Sequence, residues 1–127
     1  MIDFFRHCLM TEDGKVIYLL ALISITMMID FITGMWSAKI NKKFESNKGV
    51  NGILRKISSM LLMIIFVPFS VIIPNGVGLG LVYVMYVGYE IMEIKSILEN
   101  LNKMGVDINP FVNFLNRFEN EVKKGGK

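Results

Sequence analysis

A chain of 127 residues has room for one domain, and 53% apolar residue types is more than a soluble domain of this size can bury. The net charge of +3 does not argue for nucleic acid, because the basic residues sit beside apolar blocks, where they set topology and meet anionic lipid headgroups. Cys8 and His7 are the sole residues of their types, which excludes an internal disulfide and a Cys/His metal cluster; no cofactor is expected.

Residues 1–15 read as an interfacial segment, with Phe4, Phe5, Cys8 and Leu9 at helical spacing. Met10 offers a second initiation point. The acids Asp3, Glu12 and Asp13 rule out a positive n-region, and no small-residue cleavage site follows, so the first span is expected to stay in the mature protein.

That span covers residues 16–38, long enough to cross a ~30 Å hydrocarbon core, with Trp36 as an interfacial anchor. A polar loop over 39–56 carries Lys39, Lys42, Lys43, Lys48, Arg55 and Lys56 against Glu45 alone, and Gly49, Asn51 and Gly52 predict a turn inside it. The second span, 57–73, is uncharged and contains Pro68, which is expected to kink it. Pro74-Asn75-Gly76 marks a tight turn. The third span, 77–94, admits Glu90 and Glu93 and continues as one helix towards Gly105.

The remainder, 95–127, is a helical tail. Asn109 is expected to cap its last helix, with Pro110 in the first helical position. Phe111, Phe114, Leu115, Phe118 and Val122 form its apolar, packing stripe, and the lysine-rich end is expected to fray.

Lysines and arginines number two before the first span, six in the loop, none in the Pro-Asn-Gly turn and six from Lys95 onward. The positive-inside rule then places loop and tail in the cytoplasm and the N-terminus outside. Three crossings satisfy this count, and so do two with residues 57–94 as a re-entrant hairpin; span length favours three.

Asp30 is the sharpest feature. A carboxylate deep in a span costs about 2.5–3.5 kcal/mol on the insertion scale. Thr26, Asp30, Thr33 and Ser37 share one helical face, with Gly34 one turn beyond the acid. Such a stripe packs against protein or faces water, either as a hydrogen-bonded packing face or as part of a pore or oligomer interface. The second is favoured, because intramembrane acids are usually functional. Glu90 and Glu93 share a face near the predicted interface; Glu93 has Lys95 of a neighbour, Arg55 or Lys56 as candidate partners. Gly76 and Gly80 form a GxxxG pattern of helix pairing. No catalytic set is present, and bringing Asp30 to Glu93 as paired carboxylates would need a loop fold the sequence does not justify, so no enzyme is expected.

The run Asp30-Phe31-Ile32-Thr33-Gly34-Met35-Trp36-Ser37-Ala38, then Lys43-Phe44-Glu45-Ser46, Gly49-Val50-Asn51-Gly52, Arg55-Lys56, Glu93, Ser96 to Asn100, Gly105 and Pro110, resembles the toxin-secretion and phage-lysis holin family of Gram-positive bacteria and their phages. The resemblance covers most of residues 30–110. It implies an all-α integral membrane protein of the bacterial cytoplasmic membrane, with three transmembrane helices and a cytoplasmic amphipathic helix, which associates with itself and opens lesions. An endolysin or a large toxin without a signal peptide would leave through these as cargo. It also implies that Asp30, Gly34, Ser46, Gly49, Gly52, Arg55, Lys56, Glu93 and Asn100 matter for structure or assembly. Such sequences often have tyrosine before the acid; here Met92 precedes Glu93, and Tyr89-Glu90 lies one turn earlier. A homo-oligomeric permeabiliser is the leading expectation; a small channel or transporter subunit, or an antiholin, are the rivals.

Overall fold

The computed structural model describes residues 1–43 and 45–125 as five helices: α1 (Ile2–Cys8), α2 (Glu12–Ile40), α3 (Ser46–Ser70), α4 (Val77–Lys103) and α5 (Asn109–Gly125). Phe44 and the Gly126–Lys127 end of the tail expected to fray lie outside the described residues, while α5 continues through Lys123 and Lys124. The long helices α2, α3 and α4 have 29, 25 and 27 residues, and each is long and apolar enough to cross a membrane.

Contacts fix their order. Tyr83 donates to Glu12 at one end of the α2–α4 pair, and the Asn41 amide lies 3.4 Å from the Lys103 carbonyl at the other, so α2 and α4 run parallel. α3 returns antiparallel between them, with Met63 against Tyr86 and Lys56 against Asp30. An up-down-up bundle results.

Local chemistry sets the helix ends. Thr11 caps α2, its hydroxyl accepting the Gly14 N–H at 2.9 Å, so the helix starts at Glu12, four residues before the predicted span. The loop predicted over 39–56 is far shorter: its Gly49-Asn51-Gly52 turn is helical within α3. Glycines cost a helix about 1 kcal/mol each, and α3 forms through them with Gly49 facing the Phe31 ring, from which a Cβ would stand at an ordinary contact distance of 3.6 Å. The α3–α4 turn does form at Pro74-Asn75-Gly76, with Asn75 and Gly76 both left-handed at φ 62° and 73°. Asn109 does not precede α5 as its cap but is already helical, and the Asp107 carboxylate accepts its N–H at 3.1 Å in an Asx-type bond.

Two apolar clusters hold the bundle. Ile23, Met27, Met63, Val82 and Tyr86 join α2, α3 and α4. Tyr86 is fully buried, and its hydroxyl donates to the Met63 carbonyl at 2.6 Å, which leaves the phenol satisfied without water. Ile91, Leu98 and Leu115 join α4 to α5. Here the predicted packing stripe needs correction. Only Leu115, helped by Val112, faces α4; Phe111, Phe114 and Phe118 are 58%, 71% and 46% exposed. The apolar arc of α5 is wider than the strip α4 can cover, and the Lys95–Glu119 pair at 3.2 Å fixes which edge is covered.

The GxxxG pair is also not where the chain packs. A Cβ at Gly76, Gly80 or Gly88 would meet nothing within 4 Å, whereas one at Gly78 would collide with the Ser70 carbonyl. Gly78→Ala should therefore destabilise the purified protein by about 1–3 kcal/mol in detergent unfolding, as overpacking does. Gly80→Ala should stay within about 0.5 kcal/mol of wild type; equal effects at the two positions would show that the α3–α4 turn is not packed this way.

Candidate functional site

The polar face of α2 is buried in full: Thr26, Asp30, Thr33 and Ser37 are each 4–7% exposed. What covers it is α4 and one side chain of α3. The Lys56 ammonium lies 2.7 Å from Asp30 Oδ2 and 2.7 Å from Glu93 Oε2, so a single cation joins the three spans. Asn100 completes the acid's shell, its amide donating to Asp30 Oδ1 at 2.9 Å, to the Asp30 carbonyl at 3.1 Å and to the Thr33 hydroxyl at 3.1 Å.

Backbone geometry explains why these groups meet. Asp30 and Thr33 stand one turn apart on α2, and Glu93 and Asn100 stand two turns apart on α4, so two parallel helices present them at matching heights. Lys56 reaches them from the first half of α3, its long stem lying along apolar wall while the ammonium enters the polar seam. Gly34 faces this seam, where a Cβ would stand in ordinary van der Waals contact with the Asn100 amide nitrogen, at 3.5 Å.

Above the triad, the Thr26 hydroxyl lies 2.7 Å from the Leu22 carbonyl and 2.6 Å from Glu90 Oε1. Glu90 Oε2 is buried without a hydrogen-bond partner among the described residues. Below it, Asn41 donates to the Ser37 carbonyl at 2.9 Å.

The sequence-predicted residues thus divide. Thr26, Asp30, Thr33, Gly34, Ser37, Glu90, Glu93 and Lys56 come together, and of the three partners offered for Glu93 the structure uses Lys56. Within the protomer the stripe is closed by α4 and Lys56. The convergence of Asp30 and Glu93 that the sequence could not justify is produced by parallel packing of α2 and α4, with the lysine between them. Ser46 and Arg55 are exposed and outside the seam, and Gly49 and Gly52 line its open side. Sequence reasoning missed Tyr86 as the link to α3 and the Glu12–Tyr83 contact; an aromatic one turn before Glu90 was the available signal for the first.

Chemically, the arrangement offsets charge in part, with one ammonium set between two carboxylates. Two carboxylates share one ammonium and one amide donor, a set that hydrocarbon tolerates only when closed. The sequence profile of the bacteriophage holin family matches residues 8–120, which includes every member of this seam. The chain belongs to the bacteriophage holin family. It is 39% identical over 103 residues to the antiholin of Bacillus phage B103, covering 80% of this chain and 76% of that protein. It is 37% identical over 120 residues to the antiholin of Bacillus phage PZA and 36% identical over 120 residues to that of Bacillus phage phi29, each covering 93% of this chain and 89% of the relative. No solved structure matches the chain.

Lys56→Met strands Asp30 and Glu93 and should cost about 3–5 kcal/mol, the penalty for breaking a buried pair from one side. Removing all three charges with Asp30→Asn, Lys56→Met and Glu93→Gln should recover most of that loss. The check is the unfolding midpoint in mixed micelles; a Lys56→Met midpoint equal to wild type would show that the triad bears no load.

Proposed function

We propose that this holin-family chain acts in lysis control of the antiholin kind. It inserts into the bacterial cytoplasmic membrane by three spans, with the N-terminus outside and the C-terminus inside, and assembles with itself and with lesion-forming chains of the same fold. The carrying observation is that the polar stripe of α2 is closed inside the protomer by Lys56, Glu93 and Asn100. A chain in that state offers lipid an apolar exterior and offers water no polar face with which to line a lesion. The three relatives named antiholin support this reading over an autonomous lesion former. The six basic residues of the 39–56 segment and the six from Lys95 onward support the orientation.

Lesion formation is the second reading, and the same seam favours it. If α3 takes Lys56 away and the α2–α4 seam parts as well, Thr26, Asp30, Thr33 and Ser37 become the polar face that a water-filled assembly needs. Endolysin, or a toxin without a signal peptide, would then be cargo passing through without a binding site.

Induced expression in bacteria with a membrane-potential dye, a cytosolic endolysin and a lesion-forming holin separates these readings. The wild type should insert, leave the membrane polarised when expressed alone, and delay lysis by the holin. Abrupt depolarisation and lysis by the chain alone would assign it to lesion formation, and ion flux without protein escape would assign it to a channel. Lys56→Gln should advance lysis relative to wild type. Asp30→Asn, which leaves Lys56 paired with Glu93, should shift the timing without blocking insertion; wild-type timing in both variants would remove the seam from the mechanism.

A further inference from the structure

We infer that the cleft between α2 and α3 binds one anionic phospholipid, an acyl chain lying between the helices and the phosphate resting on Lys43 and Lys48. This goes beyond the lysis-control reading and does not depend on it.

Two adjoining cavities have the shape and polarity of such a molecule. The first, about 560 Å³, is walled by apolar side chains including Met27, Phe31, Ile57, Met60 and Leu61. It opens sideways where the bundle meets lipid, as the 51% exposure of Ile57 and 57% of Leu61 show. The second, about 290 Å³, mixes apolar and charged lining and adds Lys43, Lys48, Glu45 and Asp30, with Gly34, Gly49 and Gly52 leaving it open. Phe31 and Lys56 line both, so the apolar slot leads into the basic end without a break.

The slot suits an extended chain. From Ser24 to Ile32 its α2 wall rises about 12 Å at 1.5 Å per residue, most of the depth of one leaflet of a ~30 Å core, and its lining is almost wholly apolar.

Charge selects the headgroup. The 39–56 segment holds six basic residues and one acid, Glu45, which lies 3.7 Å from Lys48 on an exposed surface. Lys56 is committed to Asp30 and Glu93 and closes the floor, so the cations at the mouth are Lys43 and Lys48, the latter held by Glu45 only through an exposed 3.7 Å contact that water weakens. Basic pockets between spans take anionic headgroups for this reason.

The test uses the full chain in detergent micelles with equimolar dioleoyl phosphatidylglycerol and dioleoyl phosphatidylcholine, which share their chains and differ in net charge. Native mass spectrometry should show phosphatidylglycerol retained preferentially. Lys43→Gln and Lys48→Gln should each cut that preference about fivefold, which corresponds to about 1 kcal/mol per basic residue near a membrane surface. Ile57→Trp, which fills the slot from its exposed wall, should lower retention of both lipids. Equal retention of the two lipids by wild type, a preference that survives both lysine substitutions, unchanged retention in Ile57→Trp, or lipid-free dimers in place of lipid adducts would each overturn the assignment.

Discussion

The Lys56 ammonium between Asp30 and Glu93 is the contact on which the rest of the bundle depends. In lipid there is little hydrophobic gain from pressing one apolar helix against another, because acyl chains solvate leucine as well as leucine does. Polar contacts and close packing decide which helices associate. α3 shows this plainly: Met63 and Ser70 are its buried residues, and most of its length presents isoleucine, leucine and phenylalanine outward. Among the described residues its specific attachments to α2 and α4 are few: the Lys56 triad, the Tyr86–Met63 bond, the Ser24–Met60 contact and the close approach of Gly78 to Ser70.

That attachment makes the protein apolar outside and polar within, the reverse of a soluble domain. Thr26, Asp30, Thr33 and Ser37 would each be expensive against lipid, and each is placed where α4 supplies a donor, an acceptor or close cover. The cover over Asp30 is shared, with Asn100 supplied by α4 and Lys56 by α3. The remaining outer features are consistent with membrane residence: a basic α2–α3 connection, a lipid-sized slot beside it and a line of phenylalanines on α5.

Much of this was legible from residue order. The apolar blocks, the Pro74-Asn75-Gly76 turn, the run of α4 past Glu93 and the shared face of Thr26, Asp30, Thr33 and Ser37 all follow from hydropathy and helical period. Membership of the holin family was legible too, from the acid, glycine and Arg-Lys order. What stayed hidden were facts about partners. Nothing in the spacing of Asp30 and Glu93 says that α2 and α4 run parallel, so their convergence needed the fold. The start of α3 at Ser46 was hidden because Gly49, Asn51 and Gly52 have turn propensity, a weak preference that the fold overrides. On α5 the period identified the apolar arc correctly, but only contact with α4 shows that Leu115 is inside and the phenylalanines are not.

A double-mutant cycle between Asp30→Asn and Lys56→Gln, read from unfolding midpoints of the full chain in mixed micelles, tests the central claim most directly. Because one ammonium closes the seam on Asp30, the two substitutions should couple by about 1–3 kcal/mol, as contacting partners do. Additivity within about 0.5 kcal/mol would mean that the acid is satisfied by other groups, and that the seam is not held shut by Lys56.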